Sequence, residues 1–179
     1  SDQSQAASVS PTKRAASARI TDDAGDTFVI RSQRWEGREG FLLIGSLDHE
    51  NAYVVMCGEA FATWVARSRD LCLPARYIEH FEAPVDDHDT LEKSEPRRVD
   101  VSGVDETILR TELRSQPSGE LGVELAIVKG EKDQVTTWHL ATFTLPGFVK
   151  RLPELSYIAQ RVLYEDYLRE SGLQPPIDV

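Results

Sequence analysis

Two cysteines in 179 residues, Cys57 and Cys72, are too few for a disulfide scaffold, and neither falls at a metal-ligand spacing. Both are expected as small buried residues. No apolar run approaches the roughly 20 residues that a membrane span requires, so a soluble chain is expected. Catalytic signatures are missing as well: there is no P-loop, no GxGxxG and no GxSxG. The four histidines, His49, His80, His88 and His139, are scattered. Two of them lie among acids in EHFEAPVDDHD, at a spacing that matches no structural metal site. The acids of residues 86–95 fall in an expected loop with nothing to converge on. No cofactor, no metal and no enzymatic activity are therefore expected.

Basic charge is also in short supply, with a net charge of −10. The deficit is local. Residues 79–95 carry seven acids against one lysine, and the chain on either side is close to balanced. Taken whole, the charge argues against nucleic acid; taken by segment, it leaves two near-neutral halves and an acidic connection.

What is present is a repeated order of elements. Thr27–Arg67 and Thr107–Arg151 both open on a strand of apolar and basic residues and both turn at glycines, Gly37 and Gly40 in one, Gly119 and Gly122 in the other. Each continues with an apolar strand, GFLLIGSL or GVELAIV, and a short charged turn. Each then closes with a strand, AYVVMC or WHLATFTL, that feeds a helix. This pattern predicts an α+β fold of duplicated ββββα units, with two packed antiparallel sheets and a helix on each. Strands are expected at 18–22, 27–35, 41–47, 52–57, 97–102, 107–114, 121–128 and 135–144. A first helix is expected over Glu59–Leu71, stopped by Pro74. A last helix carries the stripe Leu155, Ile158, Ala159 and Val162 and ends before Gly172. The units run over 18–82 and 97–172. They are joined by an acidic linker at 83–96 and flanked by tails at 1–17, expected to be disordered, and at 173–179.

The residues that point to a ligand are aromatic and basic. Trp35 ends a strand in RSQRWEGR, surrounded by Arg31, Arg34 and Arg38. A ring flanked by guanidiniums on a sheet suits single-stranded nucleic acid, because bases stack on the ring and arginines hold phosphates. The alternative is a solvated basic hairpin with Trp35 capping the core. In the second unit Arg110 and Arg114 share a strand face, with Arg97, Arg98, Lys129 and Lys132 nearby and Glu112 and Glu124 interrupting the basic surface. Trp64 is expected in the core, and Trp138, mid-strand beside His139, there too.

The duplicated ββββα order, the strand-to-helix passages AYVVMCGEAFATWV and WHLATFTLPGFVKRL, and the passage Tyr77–Pro84 together resemble the Whirly family, over about residues 18–170. Within it the chain is most similar to the kinetoplastid mitochondrial RNA-binding proteins, since FVIRSQRWE stands where the plant proteins carry a lysine-rich motif. The resemblance implies a single-stranded RNA-binding protein, similar to guide-RNA-binding and annealing factors of RNA editing. It also implies a mitochondrial location and a heterotetramer with a related, more basic subunit. A second resemblance, to the head domain shared by the non-homologous end-joining scaffold and centriolar cartwheel proteins, implies a structural role through dimerisation. That fold would show one continuous seven-stranded sandwich with a protruding C-terminal helix.

Overall fold

The computed structural model describes residues 17–80, 97–131 and 133–174. The expected N-terminal tail up to residue 16, the acidic linker, His88, Lys132 and the last five residues lie outside them.

Among the described residues, eight strands form two separate four-stranded meanders, and not one seven-stranded sandwich. The first comprises β1 (Ala18–Thr21), β2 (Thr27–Trp35), β3 (Arg38–Ser46) and β4 (Tyr53–Cys57). The second comprises β5 (Arg97–Ser102), β6 (Thr107–Ser115), β7 (Leu121–Glu131) and β8 (Gln134–Thr144). All neighbouring strands pair antiparallel, in sequence order. The duplication is visible rung by rung. Ile30 pairs with Ile44 and Ile44 with Val54; at the corresponding rung Thr111 pairs with Leu125 and Leu125 with Ala141. All six are fully buried. Strand alternation explains why: with a period of two, one face of each sheet collects the apolar residues.

The first repeat passes directly from β4 into one long helix, α1 (Gly58–His80). The second makes the same passage in two steps. A short helix, α2 (Leu145–Val149), starts where the Thr144 hydroxyl accepts the Gly147 N–H at 3.0 Å. It is followed by α3 (Leu152–Glu170), with Pro153 in its first turn, where no intrahelical donor is needed. Phe61 and Phe148, the first aromatic residues of the two helical passages, are both buried. Trp64, Leu155 and Val162 are buried as expected. The C-terminus of α3 is a Schellman motif: Gly172 has φ 77°, its N–H reaches the Arg169 carbonyl at 3.0 Å, and the Leu173 N–H reaches that of Leu168 at 2.7 Å.

Two expectations need correction. The first helix does not stop at Pro74 but carries it in its interior. The proline removes one donor, to the Asp70 carbonyl; Leu73 and Pro74 are exposed, so water can reach the orphaned oxygen. The helices also do not simply cover their own sheets. Helix α1 packs chiefly on β5 of the other repeat and on α3, and α3 reaches β3 of the first repeat. Ser68 of α1 and Thr111 of β6 share a buried hydroxyl hydrogen bond of 2.7 Å. Helix α3 comes so close to the first repeat that a Cβ on Gly58 would lie 2.5 Å from Asp166 Oδ2.

The exchange extends to the sheet edges. The Val104 N–H, in the β5–β6 turn, donates to the Val55 carbonyl of β4 at 2.8 Å. Reciprocally, the β1–β2 turn docks on β8: the Thr142 N–H donates to Asp22 Oδ2 at 2.8 Å and the Thr144 N–H to Asp23 Oδ2 at 2.6 Å. Each repeat thus uses its first turn to cover the last strand of the other, a means of blunting an open edge. The result is one shared core drawn from both sheets and all three helices.

Candidate nucleic-acid interface

The expected binding residues fall into three places. The first is the β2–β3 hairpin. Glu36 and Gly37 take φ of 49° and 76°, so two consecutive residues with positive φ make the tight turn. That turn spends part of the basic cluster on itself. Arg34 Nη2 donates to the Gly37 carbonyl at 3.0 Å. The Arg38 guanidinium lies 5.6 Å from the centre of the Phe41 ring, a cation–π contact within its own strand. Arg31 is exposed, on the face of β2 opposite Phe28 and Ile30, and has no ion pair among the described residues. Arg34 also lines a cavity of about 390 Å³ between this hairpin and the C-terminal half of α3, together with Glu39, Glu165 and Arg169.

The second place is the outer face of the second sheet. Arg98, Arg110, Arg114, Glu112, Glu124 and His139 line a groove of about 480 Å³. Sequence reasoning placed these arginines and the interrupting glutamates together, and the register shows how they pair. Arg110 stands directly across from Asp100 and holds both of its carboxylate oxygens, at 2.8 and 3.1 Å. Those hydrogen bonds raise the Arg110 pKa above the ordinary arginine value, outweighing partial burial. Arg114 bridges Glu112 at 2.8 Å and Glu124 at 3.0 Å. Two guanidiniums therefore meet three carboxylates on this face, and with Arg98 the charges are close to balanced. Arg97 and Arg98, at the start of β5, are exposed and without an ion pair among the described residues. The two halves also do not supply equivalent arginines: by register, the rung that carries Arg31 in the first sheet carries Glu112 in the second.

The third place is the junction between the repeats. Trp35 and Lys129, expected on separate strands, line one small cavity of about 40 Å³ together with Tyr53, Thr107 and Trp138. Trp35 and Trp138 are half-buried, and Tyr53 is 46% exposed. The β5–β6 turn forms part of the rim, with Asp105 and Glu106 both in the left-handed region at φ 54° and 55°. Such a conformation is costly for residues other than glycine. Three aromatic residues and a lysine, drawn from both repeats, thus line one small cavity.

Comparison with protein-family models, with curated proteins and with solved structures finds no match.

Tyr53 escaped the sequence reading. An aromatic opening the strand YVVMC after a charged turn is a usable signal, but nothing in the sequence shows that it meets residues 127–138. Trp138, expected in the core, is half-buried and packs against its edge. Cys57, expected to be buried, is exposed at the end of β4, while Cys72 is buried as expected.

Proposed function

We propose that the protein binds single-stranded RNA and acts by holding it, without catalysis. The observation that carries this reading is the convergence of Trp35, Tyr53 and Trp138 with Lys129 at the junction of the repeats. Bases stack on exposed rings whatever their sequence, and a cation beside the rings takes the phosphate. Arg31, Arg97, Arg98 and Lys129 are the cations best able to make phosphate contacts. Arg110 and Arg114 contribute less, because a phosphate would have to displace carboxylates already in place. Such contacts carry affinity without reading sequence. The net charge of −10 suits an assembly in which a related, more basic subunit supplies further contacts. The resemblance to the kinetoplastid proteins extends the proposal to a heterotetramer, a mitochondrial location and a role in RNA editing.

The test is fluorescence anisotropy with labelled single-stranded RNA and DNA at two salt concentrations. About four phosphate contacts would give a fall of about 3 log units in affinity per log unit of salt. Trp35→Ala and Tyr53→Ala should each weaken binding by about 1–3 kcal/mol, and Arg110→Ala by less. Absence of RNA binding at low salt, or unchanged affinity in both aromatic variants, would overturn the reading. Preference for DNA would move the ligand and leave the site.

A second reading, a scaffold that works through protein–protein contacts, is favoured by the outer face of α3. Tyr157, Tyr164 and Tyr167 are 55%, 49% and 63% exposed there, more aromatic area than a solvated helix face requires. Sedimentation at micromolar concentration should then show an oligomer, reduced to a monomer by Tyr164→Glu with Tyr167→Glu. A wild-type protein that sediments as a monomer would remove this reading.

A further inference from the structure

The turn that docks on β8 concentrates negative charge, and the guanidinium of Arg151 donates to the neighbouring Thr21 carbonyl at 3.1 Å. Asp22, Asp23 and Asp26 fall within five residues, and none takes part in an ion pair among the described residues. Asp22 is only 6% exposed. Its Oδ1 accepts the N–H groups of Ala24 at 2.9 Å and Asp26 at 2.8 Å, and its Oδ2 accepts that of Thr142. These three bonds orient the carboxylate but bring no formal positive charge into a place where a buried anion is costly. Facing it from the other repeat is the imidazole of His139, held beside the turn by the Thr142 hydroxyl 3.2 Å from its Nε2. One donor atom each from Asp22, Asp26 and His139 lie within 4.8 Å of one another. Metal–ligand bonds of about 2.0–2.2 Å set donors about 3–4 Å apart, so a small closure of the exposed His139 side chain would complete the set.

We propose that Asp22, Asp26 and His139 bind a divalent cation of the Zn²⁺ and Co²⁺ class, which ties the first turn of one repeat to the last strand of the other. One imidazole nitrogen and two carboxylate oxygens suit a borderline cation better than a hard one such as Ca²⁺, which takes oxygen ligands only. The backbone N–H groups on Asp22 supply the outer-shell orientation that ligating carboxylates need. Water fills the remaining positions. None of its three ligands is a proposed stacking or phosphate-binding residue, although His139 also lines the groove that holds Arg98.

The test uses the full chain stripped with a chelator and titrated with Co²⁺ and Zn²⁺. Binding is followed by the visible absorption of Co²⁺, by calorimetry and by thermal unfolding. The expected result is one saturable site and, at a hundredfold excess over Kd, a rise in midpoint of about 5–10 °C. His139→Ala and Asp26→Asn should weaken binding at least tenfold and abolish the rise. Both side chains have some exposure, and the turn hydrogen bond at position 26 comes from its backbone, so both variants should fold. His49→Ala, at a separate exposed histidine, should bind like the wild type. No saturable binding, or undiminished binding in both His139→Ala and Asp26→Asn, would overturn the proposal.

Discussion

Single side chains in this protein owe their roles to neighbours that are far away in sequence, and the buried Cys72 illustrates it. Cys72 is held in the core, where burial pushes its pKa from the ordinary 9.0 to about 12. The folded protein therefore keeps this proton between pH 9 and 12, while the unfolded chain releases it. The unfolded state binds fewer protons across that window, so stability falls as pH rises through it, by up to about 1.4 kcal/mol per pH unit from this group alone. Below pH 9 the contribution is constant. Urea unfolding of wild type and Cys72→Ala at pH 8 and pH 10 should show a smaller loss in the variant; equal losses would mean the thiol stays protonated in both states. Ser68 and Thr111 form another distant pair, whose hydroxyls satisfy each other inside the core. Helical spacing sets Ser68 on the same face as Phe61, Trp64 and Val65, whereas nothing in the type of Thr111 marks it as a core position. A buried hydroxyl costs about 1–3 kcal/mol when its partner is missing, so each depends on a residue of the other repeat.

At the scale of elements, the strands were largely legible and the contacts between elements were not. Leu121–Val128 alternates because Val123, Leu125 and Ile127 face the core, and that alternation is written in the residue order. The partners of Arg110 and Arg114 depend on register, which sets Asp100 across from Arg110 and Glu124 diagonally from Arg114 only once the strands are paired. A periodic apolar stripe on a helix says that a face is buried but not against which sheet, so the crossing of α1 onto β5 had no local signal. Pro74 misled for a different reason. It is a strong breaker in isolated helices, and here the packing of Cys72 and Ala75 holds the helix through it. Its local cost should therefore still be present and recoverable. Pro74→Ala restores a backbone donor at an exposed position, where proline costs about 3 kcal/mol relative to alanine in a helix interior. Part of that is offset because proline also restricts the unfolded chain. A gain of about 1–2 kcal/mol by urea unfolding is expected; a loss would mean that the proline bend itself is required for packing.

For the whole molecule, duplication of the chain has not produced two independent domains. Each repeat contributes a sheet that its own helix does not fully cover, and each leaves its last strand to be capped by the other. Helix α1 without the second sheet would expose the residues it sets against β5, and Ser68 would lose its partner. Without the β1–β2 turn, β8 would present the N–H groups of Thr142 and Thr144 unpaired. Without the β5–β6 turn, the Val55 carbonyl of β4 would lose its donor. A unit of about 60 to 80 residues is marginal even when its core is its own, and here the core is shared. Residues 17–80 and 97–174 produced as separate peptides should therefore each lack cooperative thermal unfolding and dispersed amide resonances. Mixed in equal amounts they should assemble one to one and recover both, because the exchanged contacts are intermolecular in that mixture and the connecting segment supplies only proximity. Independent cooperative folding of either peptide would show that the crossed helices and capped edges decorate two self-sufficient units; failure of the mixture to assemble would show that the connection between them does more than keep them close.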